Sequence, residues 1–195
     1  MTGYAHHLIV LSGVSGAGKT TLCLQLVAQA QAARLRVGGL LTLPRRADGR
    51  VTGLDVQDAR SGRQRALADV NAQAPISEPA SVIVGTWRFR SESLAWGSAV
   101  LRSAIPCDLL VVDELGPLEL LRGQGWTVAL DVIRIGLFQQ AVVVVRPSLV
   151  MQFAHLAGIA DPEVLMLTEA NRDAIGSRLW ARTQAGRMDS TMSYR

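Results

Sequence analysis

Gly13-Val14-Ser15-Gly16-Ala17-Gly18-Lys19-Thr20 is the stretch on which the reading of this chain turns. It fits the spacing G-x-x-x-x-G-K-[ST], and Lys19 is the only lysine among twenty basic residues. A lysine falling at random among those twenty positions would land there about one time in twenty. Glycines at these places let successive backbone N–H groups point inward at a phosphate, with no Cβ in the way. A helix starting at the end of the loop adds its partial positive charge at the same spot. Lys19 then reaches β- and γ-phosphate oxygens, and the Thr20 hydroxyl becomes a ligand for Mg2+. The nest runs from Gly13 to Thr21, and the ligand it implies is a nucleoside triphosphate.

The flanks agree with that reading. Leu8-Ile9-Val10-Leu11 is a short apolar run of the kind found in buried parallel strands. From Thr21 to Ala33 the chain carries Leu22, Leu26, Val27 and Ala30 at helical spacing, without proline or glycine. Strand, glycine loop and helix in that order are the context the motif requires.

Further along, Val37–Leu43 reads as a strand. Asp48-Gly49 turns it into a second strand over Arg50–Gln57, and Ser61-Gly62 turns that toward Gln64–Ala68. Asn71–Ala80, with two prolines, is expected to be a loop. Ser81–Arg88 reads as a strand, Glu92–Ala104 as a helix, and Asp108–Asp113 as a buried strand ending in acid. Gly125–Gln139 is expected to be helical, Ala141–Val145 a strand, and Pro147–Ala157 a helix opened by proline. A last strand over Val164–Thr168 and a helix from about Ala170 to Thr183 follow. Strands alternating with helices predict an α/β fold: a mainly parallel sheet covered by helices on both faces, with an inserted antiparallel hairpin region. One domain is expected over residues 1–183, with a disordered polar tail over 184–195. In such sheets ligands bind beyond the carboxyl ends of the strands, so chemistry is expected after Leu11, Val112 and Val145.

Leu109–Val112 runs directly into Asp113-Glu114, a Walker B pattern about a hundred residues after the phosphate loop. The two carboxylates have different expected duties. Asp113 holds Mg2+ beside Thr20, and Glu114 projects toward the γ-phosphate and polarises an attacking water. The loop continues through Gly116 to Glu119, which either orients a polar group near the γ-phosphate or caps the helix starting there. An acid directly after the Walker B aspartate resembles the RecA/ASCE-like division of P-loop NTPases. In that division an additional strand separates the phosphate-loop strand from the Walker B strand, and Ala141–Val145 would supply it.

With these elements together, the chain resembles the THEP1-type nucleoside-triphosphatases. The resemblance is carried by the run from Gly13 to Leu22 and by Asp113-Glu114-Leu115-Gly116-Pro117-Leu118-Glu119, its most specific part. Gly39, Thr42, Gly49 and Gly53 in the hairpins, Val84-Gly85 before Trp87, and Asn171-Arg172-Asp173 follow in the expected order. It implies hydrolysis of ATP, GTP and other nucleoside triphosphates to diphosphate and phosphate, with Mg2+ and broad tolerance of the base. That breadth fits a chain whose identifiable contacts all go to phosphate and metal, with no base-reading Asn-Lys-x-Asp. The hairpin departs from the family pattern: where an acid and a further basic residue are usual, this chain has Leu43-Pro44 and Val51.

A cation that neutralises charge developing on the γ-phosphate has five candidate positions: Arg46, Arg88 or Arg90, Arg122, and Arg146. Arg146 ends the additional strand, the sensor position of the broader division. Arg172 is expected to cap or salt-bridge the last helix. Net charge is +4, but the arginines are scattered, which argues against a nucleic-acid footprint. No apolar run approaches membrane-spanning length, and the strand leads straight into the phosphate loop without a leader pattern. A cytoplasmic address is the expectation. Cys23 and Cys107 form no C-x-x-C pair and are expected to be buried thiols; His6, His7 and His155 lack metal-ligand spacing. Two alternatives to a hydrolase remain: a small-molecule kinase on the same scaffold, and a slow nucleotide-dependent switch or assembly partner. Against the kinase, Met151–Pro162 contains no arginine to form a lid.

Overall fold

The computed structural model describes residues 7–70 and 81–192, with side chains described as far as residue 185. The loop expected over Asn71–Ala80 lies outside the described residues, as does His6. Among the described residues nine strands form one sheet in the order β5-β6-β4-β3-β2-β7-β8-β1-β9. Five of them are parallel: β2 (Val37–Ala47), β7 (Cys107–Leu115), β8 (Phe138–Val145), β1 (His7–Ser12) and β9 (Glu163–Met166). The other four extend the sheet in antiparallel pairing: β3 (Arg50–Asp58), β4 (Gln64–Val70), β6 (Trp87–Arg90) and β5 (Ser81–Val84). The join is β2, whose Val37–Leu40 pairs with β7 and whose Leu40–Ala47 pairs with β3. The expected α/β architecture with an inserted antiparallel region is therefore present.

Burial explains why the centre is parallel. All eight residues of β8 are buried, which requires helices on both faces. Side chains alternate across the sheet as the pleat dictates. Val10, Leu110 and Val112 pack on one face with α2 (Ser91–Arg102), α4 (Val128–Ile135) and α5 (Val150–Ala157). Ile9, Leu11, Leu109 and Val111 pack on the other with α1 (Lys19–Ala32) and α6 (Arg172–Met192). A short helix, α3 (Pro117–Leu120), follows β7. The strand order places β8 between β1 and β7, as the Walker division demands.

Several boundaries differ from the sequence reading. The helix expected over Gly125–Gln139 is only α4, because Gly136 adopts the left-handed conformation after Ile135 and buried Phe138 already belongs to β8. The strand expected over Ser81–Arg88 is a hairpin, β5 and β6, that turns at Gly85-Thr86. Pro147–Leu149 is a 3-10 turn before α5, and β7 extends through Glu114 to Leu115. The last helix runs from Arg172 to Met192, past Thr183 and into the stretch expected to be a disordered tail. Both cysteines are buried and free, while His7 and His155 are exposed.

Candidate active site at the carboxyl ends of the central strands

Parallel strands deliver their carboxyl ends to one edge, and here β1, β7 and β8 bring their following residues together. The stem of the phosphate loop is locked on both sides. The buried Ser12 hydroxyl donates to the Val145 carbonyl (2.8 Å), and the Ser12 carbonyl accepts from the Leu167 N–H (2.7 Å). Gly13 follows at φ +145°, where a Cβ would stand 2.5 Å from the Leu167 carbonyl oxygen, so only glycine fits. Gly18, at φ +95°, turns the chain into α1, and a Cβ there would meet the Arg172 guanidinium at 2.7 Å. Val14, Ser15 and Gly16 form the exposed crest, whereas Ala17 is buried beneath it. The Lys19 ammonium lies along the loop and donates to the Gly13 and Val14 carbonyls, each at 2.8 Å. Thr21 is exposed on the first turn of α1.

Asp113 and Glu114 sit where the pairing of β7 with β8 slips, three residues of β7 spanning two of β8 between Val112 and Leu115. Such a bulge re-aims side chains at a strand end. Asp113 is 2% exposed. Burial pushes its carboxyl up to about 7, the neighbouring Glu114 adds to this, and the Thr20 hydroxyl, the Thr42 backbone and Lys19 oppose it. One of its oxygens, Oδ2, is buried with no hydrogen-bond partner among the described residues. The Thr20 hydroxyl at the end of the phosphate loop thus lies close enough to the Asp113 carboxyl to favour its charged form.

Glu114 is half-buried and carries an ion pair: the Arg146 Nε–H donates to Glu114 Oε1 at 2.6 Å. Of the candidate arginines, this is the one that reaches an acid of the Walker B pair. Arg46 is exposed and turns back to the Gly49 carbonyl, Arg90 pairs with Asp69, and Arg122 donates to the Ile83 carbonyl at 2.8 Å. Arg88 lies on β6, in the antiparallel extension.

Glu119 resolves to the capping reading. Its carboxylate accepts from the Gly116 N–H (3.0 Å) and the Trp126 N–H (3.1 Å), stitching the Walker B loop to the segment before α4. Its burial raises the carboxyl above the ordinary range, and those two N–H groups draw it back. Gly116 is therefore buried in the turn after β7. Two site residues escaped the sequence reading. Thr42 on β2 donates its hydroxyl to the Asp113 carbonyl, holding the Walker B turn from the neighbouring strand. Arg172, expected to serve its own helix, instead donates from Nη2 to the Ala17 carbonyl at 3.1 Å and covers Gly18. The signal for both was their place in the resemblance, since neither stands in a Walker motif.

A glycine loop with its lysine, a threonine beside a buried aspartate and a second acid next to it, all on this sheet order, define a P-loop nucleotide-binding protein. Residues 8–180 match the family model described as NTPase, and the chain belongs to that family. It is 28% identical over 176 residues to the nucleoside-triphosphatase THEP1 of Methanosarcina barkeri, an alignment covering 88% of this chain and 94% of that one. Among solved structures it is similar to a human cancer-related nucleoside triphosphatase, with a TM-score of 0.68, 25% identity, and coverage of 93% and 98% of the two chains. It shares its fold with THEP1 of Aquifex aeolicus at a TM-score of 0.64 and 18% identity, over 88% and 95% of the two chains. The resemblance read from the motifs is thereby borne out. Among the described residues no helix is long and apolar enough to cross a membrane.

Proposed function

We propose that the chain hydrolyses ATP, GTP and other nucleoside triphosphates to the diphosphate and phosphate, with Mg2+ and little discrimination among bases. The observation that carries this reading is the Thr20–Asp113 contact, a hydroxyl and a buried carboxylate with an unpartnered oxygen, beside the phosphate loop. An oxygen pair of that kind suits a hard divalent cation, which takes oxygen ligands and would neutralise the phosphate charge. Thr20 and Asp113 would hold Mg2+ there. Burial that raises the Asp113 carboxyl is relieved by a cation, so the donor set fits the group.

The remaining roles belong to the chain's own atoms. The loop N–H groups from Gly13 to Thr21 cradle the β-phosphate, and Lys19 exchanges its two carbonyl contacts for β- and γ-phosphate oxygens. Glu114 accepts a hydrogen bond from the attacking water and aligns it with the γ-phosphorus. Arg146 holds the Glu114 carboxylate in place through Nε and presents the rest of its guanidinium to charge developing on the γ-phosphate. Arg172 braces the loop from behind through Ala17. The sequence carries no base-reading Asn-Lys-x-Asp, consistent with activity on several nucleotides.

Phosphate release from ATP, GTP, CTP and UTP, for wild type and Glu114→Gln, tests the reading. Several nucleotides should be hydrolysed by wild type, and the variant should lose about 10²–10⁴ in turnover while still binding nucleotide. A variant as fast as wild type would remove Glu114 from the role.

A further inference from the structure

A cavity of about 460 Å³ opens directly beside Glu114 and Arg146, on the side away from the phosphate loop in strand order. Small-molecule sites run from about 300 to 1,000 Å³, whereas a single water takes about 30 Å³. That volume has room for a small organic molecule as well as the attacking water. Its body is apolar and aromatic: Trp87 and Phe89 come from β6, Leu54 and Leu67 from β3 and β4, and Leu94 and Trp126 from the α2 and α4 side.

Two polar groups of that lining, the Trp126 indole and the Glu119 carboxylate, are already engaged by the protein. The Trp126 indole N–H donates to the Leu94 carbonyl at 3.2 Å, and the Glu119 carboxylate is taken by Gly116 and Trp126. The interior therefore offers ring faces and methyl groups but few free hydrogen bonds, which suits a flat apolar body rather than a cluster of waters. The lining also carries hydrogen-bonding side chains, among them Thr86, Glu114 and Arg146. The wall formed by the β5–β6 hairpin is anchored to the Walker B side, because Arg122 beyond α3 donates to the Ile83 carbonyl. The chamber and the acid that borders it are thus held in one unit.

We propose that this cavity seats a second substrate, a ring-bearing apolar alcohol or phenol that receives the γ-phosphoryl group in place of water. The proposal rests on the nucleotide reading above, which supplies the phosphoryl donor. The ring packs between Trp87, Phe89 and Trp126, and the hydroxyl lies beside Glu114. Its oxygen forms a bond to the γ-phosphorus while the bond from that phosphorus to the β,γ-bridging oxygen breaks. The nucleoside diphosphate leaves with the electron pair, and the hydroxyl proton passes to the Glu114 carboxylate and on to solvent. The products are a phosphate monoester and the diphosphate; with the chamber empty of an alcohol, water takes the same path and yields free phosphate.

The test uses the full chain with Mg2+ and ATP labelled in the γ-phosphate, and three probes: 2-naphthalenemethanol, 4-hydroxybenzyl alcohol and the hydroxyl-free 2-methylnaphthalene. Leucine methyl resonances report binding, and the ratio of phosphate ester to free phosphate reports transfer. The alcohols should shift Leu54, Leu67 and Leu94 saturably and yield ester; 2-methylnaphthalene should shift the same signals and yield none. The ester-to-phosphate ratio should fall at least tenfold in Trp87→Ala and in the cavity-filling Leu54→Trp, whichever of the two folds better. Free phosphate without ester from either alcohol would overturn the acceptor proposal alone. Absence of both ester and free phosphate would overturn the nucleotide reading, and this proposal with it.

Discussion

The two halves of the sheet are held together by different physics. In the parallel half, β8 is buried throughout, β1 from Ile9 to Ser12 and β7 everywhere but Glu114, so these strands are enclosed on both faces. In the antiparallel extension, β5 and β6 have no fully buried residue, and arginines do much of the joining. Arg45 pairs with Asp55 and Asp69, Arg90 with Asp69, and Arg65 lies 5.2 Å over the Trp96 ring. Arg60, behind β2, donates to the Val37 and Ala104 carbonyls. The arginine groups are structural ties within the extension and at its root. Burial thus holds the phosphate loop and the two acids, and a half-exposed layer tied by arginines forms a wall beside them.

That contrast predicts a graded response to substitution. The largest effect belongs to the parallel half: Phe138→Ala, at a fully buried position that begins β8, should lower unfolding free energy by about 3–5 kcal/mol in a denaturant titration. Val82→Ala, on edge strand β5, should cost about 1 kcal/mol or less. Equal losses would mean the extension is as tightly packed as the core.

Next comes Arg146→Ala, which leaves the sheet intact and removes the partner of Glu114. Turnover should fall about a hundredfold with the nucleotide KM changed far less. Unchanged turnover would take Arg146 out of the site. Arg45→Ala probes the extension by its ion pairs. Those pairs are about one-third exposed, so the loss should stay within about 1 kcal/mol and shrink further at high salt. A salt-independent loss would point to packing of the arginine stem instead.

At neutral pH the smallest expected effect is titrational, since it develops only in alkali. Burial raises the Cys107 thiol from 9.0 to about 12, with Asp108 adding to the rise. The unfolded thiol ionises first, so this contribution is intact below about pH 9 and is lost as pH climbs from there toward 12. The Cys107 contribution should be flat through neutral pH, and the decline of stability above pH 9 should be less steep in Cys107→Ala. An identical slope in the variant would show that Cys107 ionises freely in the folded chain.

What was readable from the residues were features with a local cause. A loop that needs glycine at Gly13 and Gly18, an apolar run ending in Asp113-Glu114, and turns at Asp48-Gly49 and Ser61-Gly62 announce themselves in a few consecutive letters. The intervening β8 strand was also legible, because four valines in succession mark a strand buried on both faces. Where local signals compete, the reading failed. Apolar residues from Trp126 to Phe138 continue the helical pattern past Gly136, and only the docking of Phe138 into the core turns them into strand.

The sequence by itself determined the phosphate loop, the central strands and the acids at their ends, because each rests on contacts or periodicities within a short segment; the place of β8 between β1 and β7 was expected only from the resemblance to a P-loop division, and the sheet shows it. Tertiary structure alone decided that Glu119 caps two turns, that Arg172 braces the loop 155 residues away, and that Thr42 holds the Walker B turn. It also decided that Arg146, among several arginines of equal chemistry, meets Glu114. Those assignments depend on which side chains the sheet brings within hydrogen-bond reach, and a guanidinium carries no mark in the sequence of the partner that folding will give it.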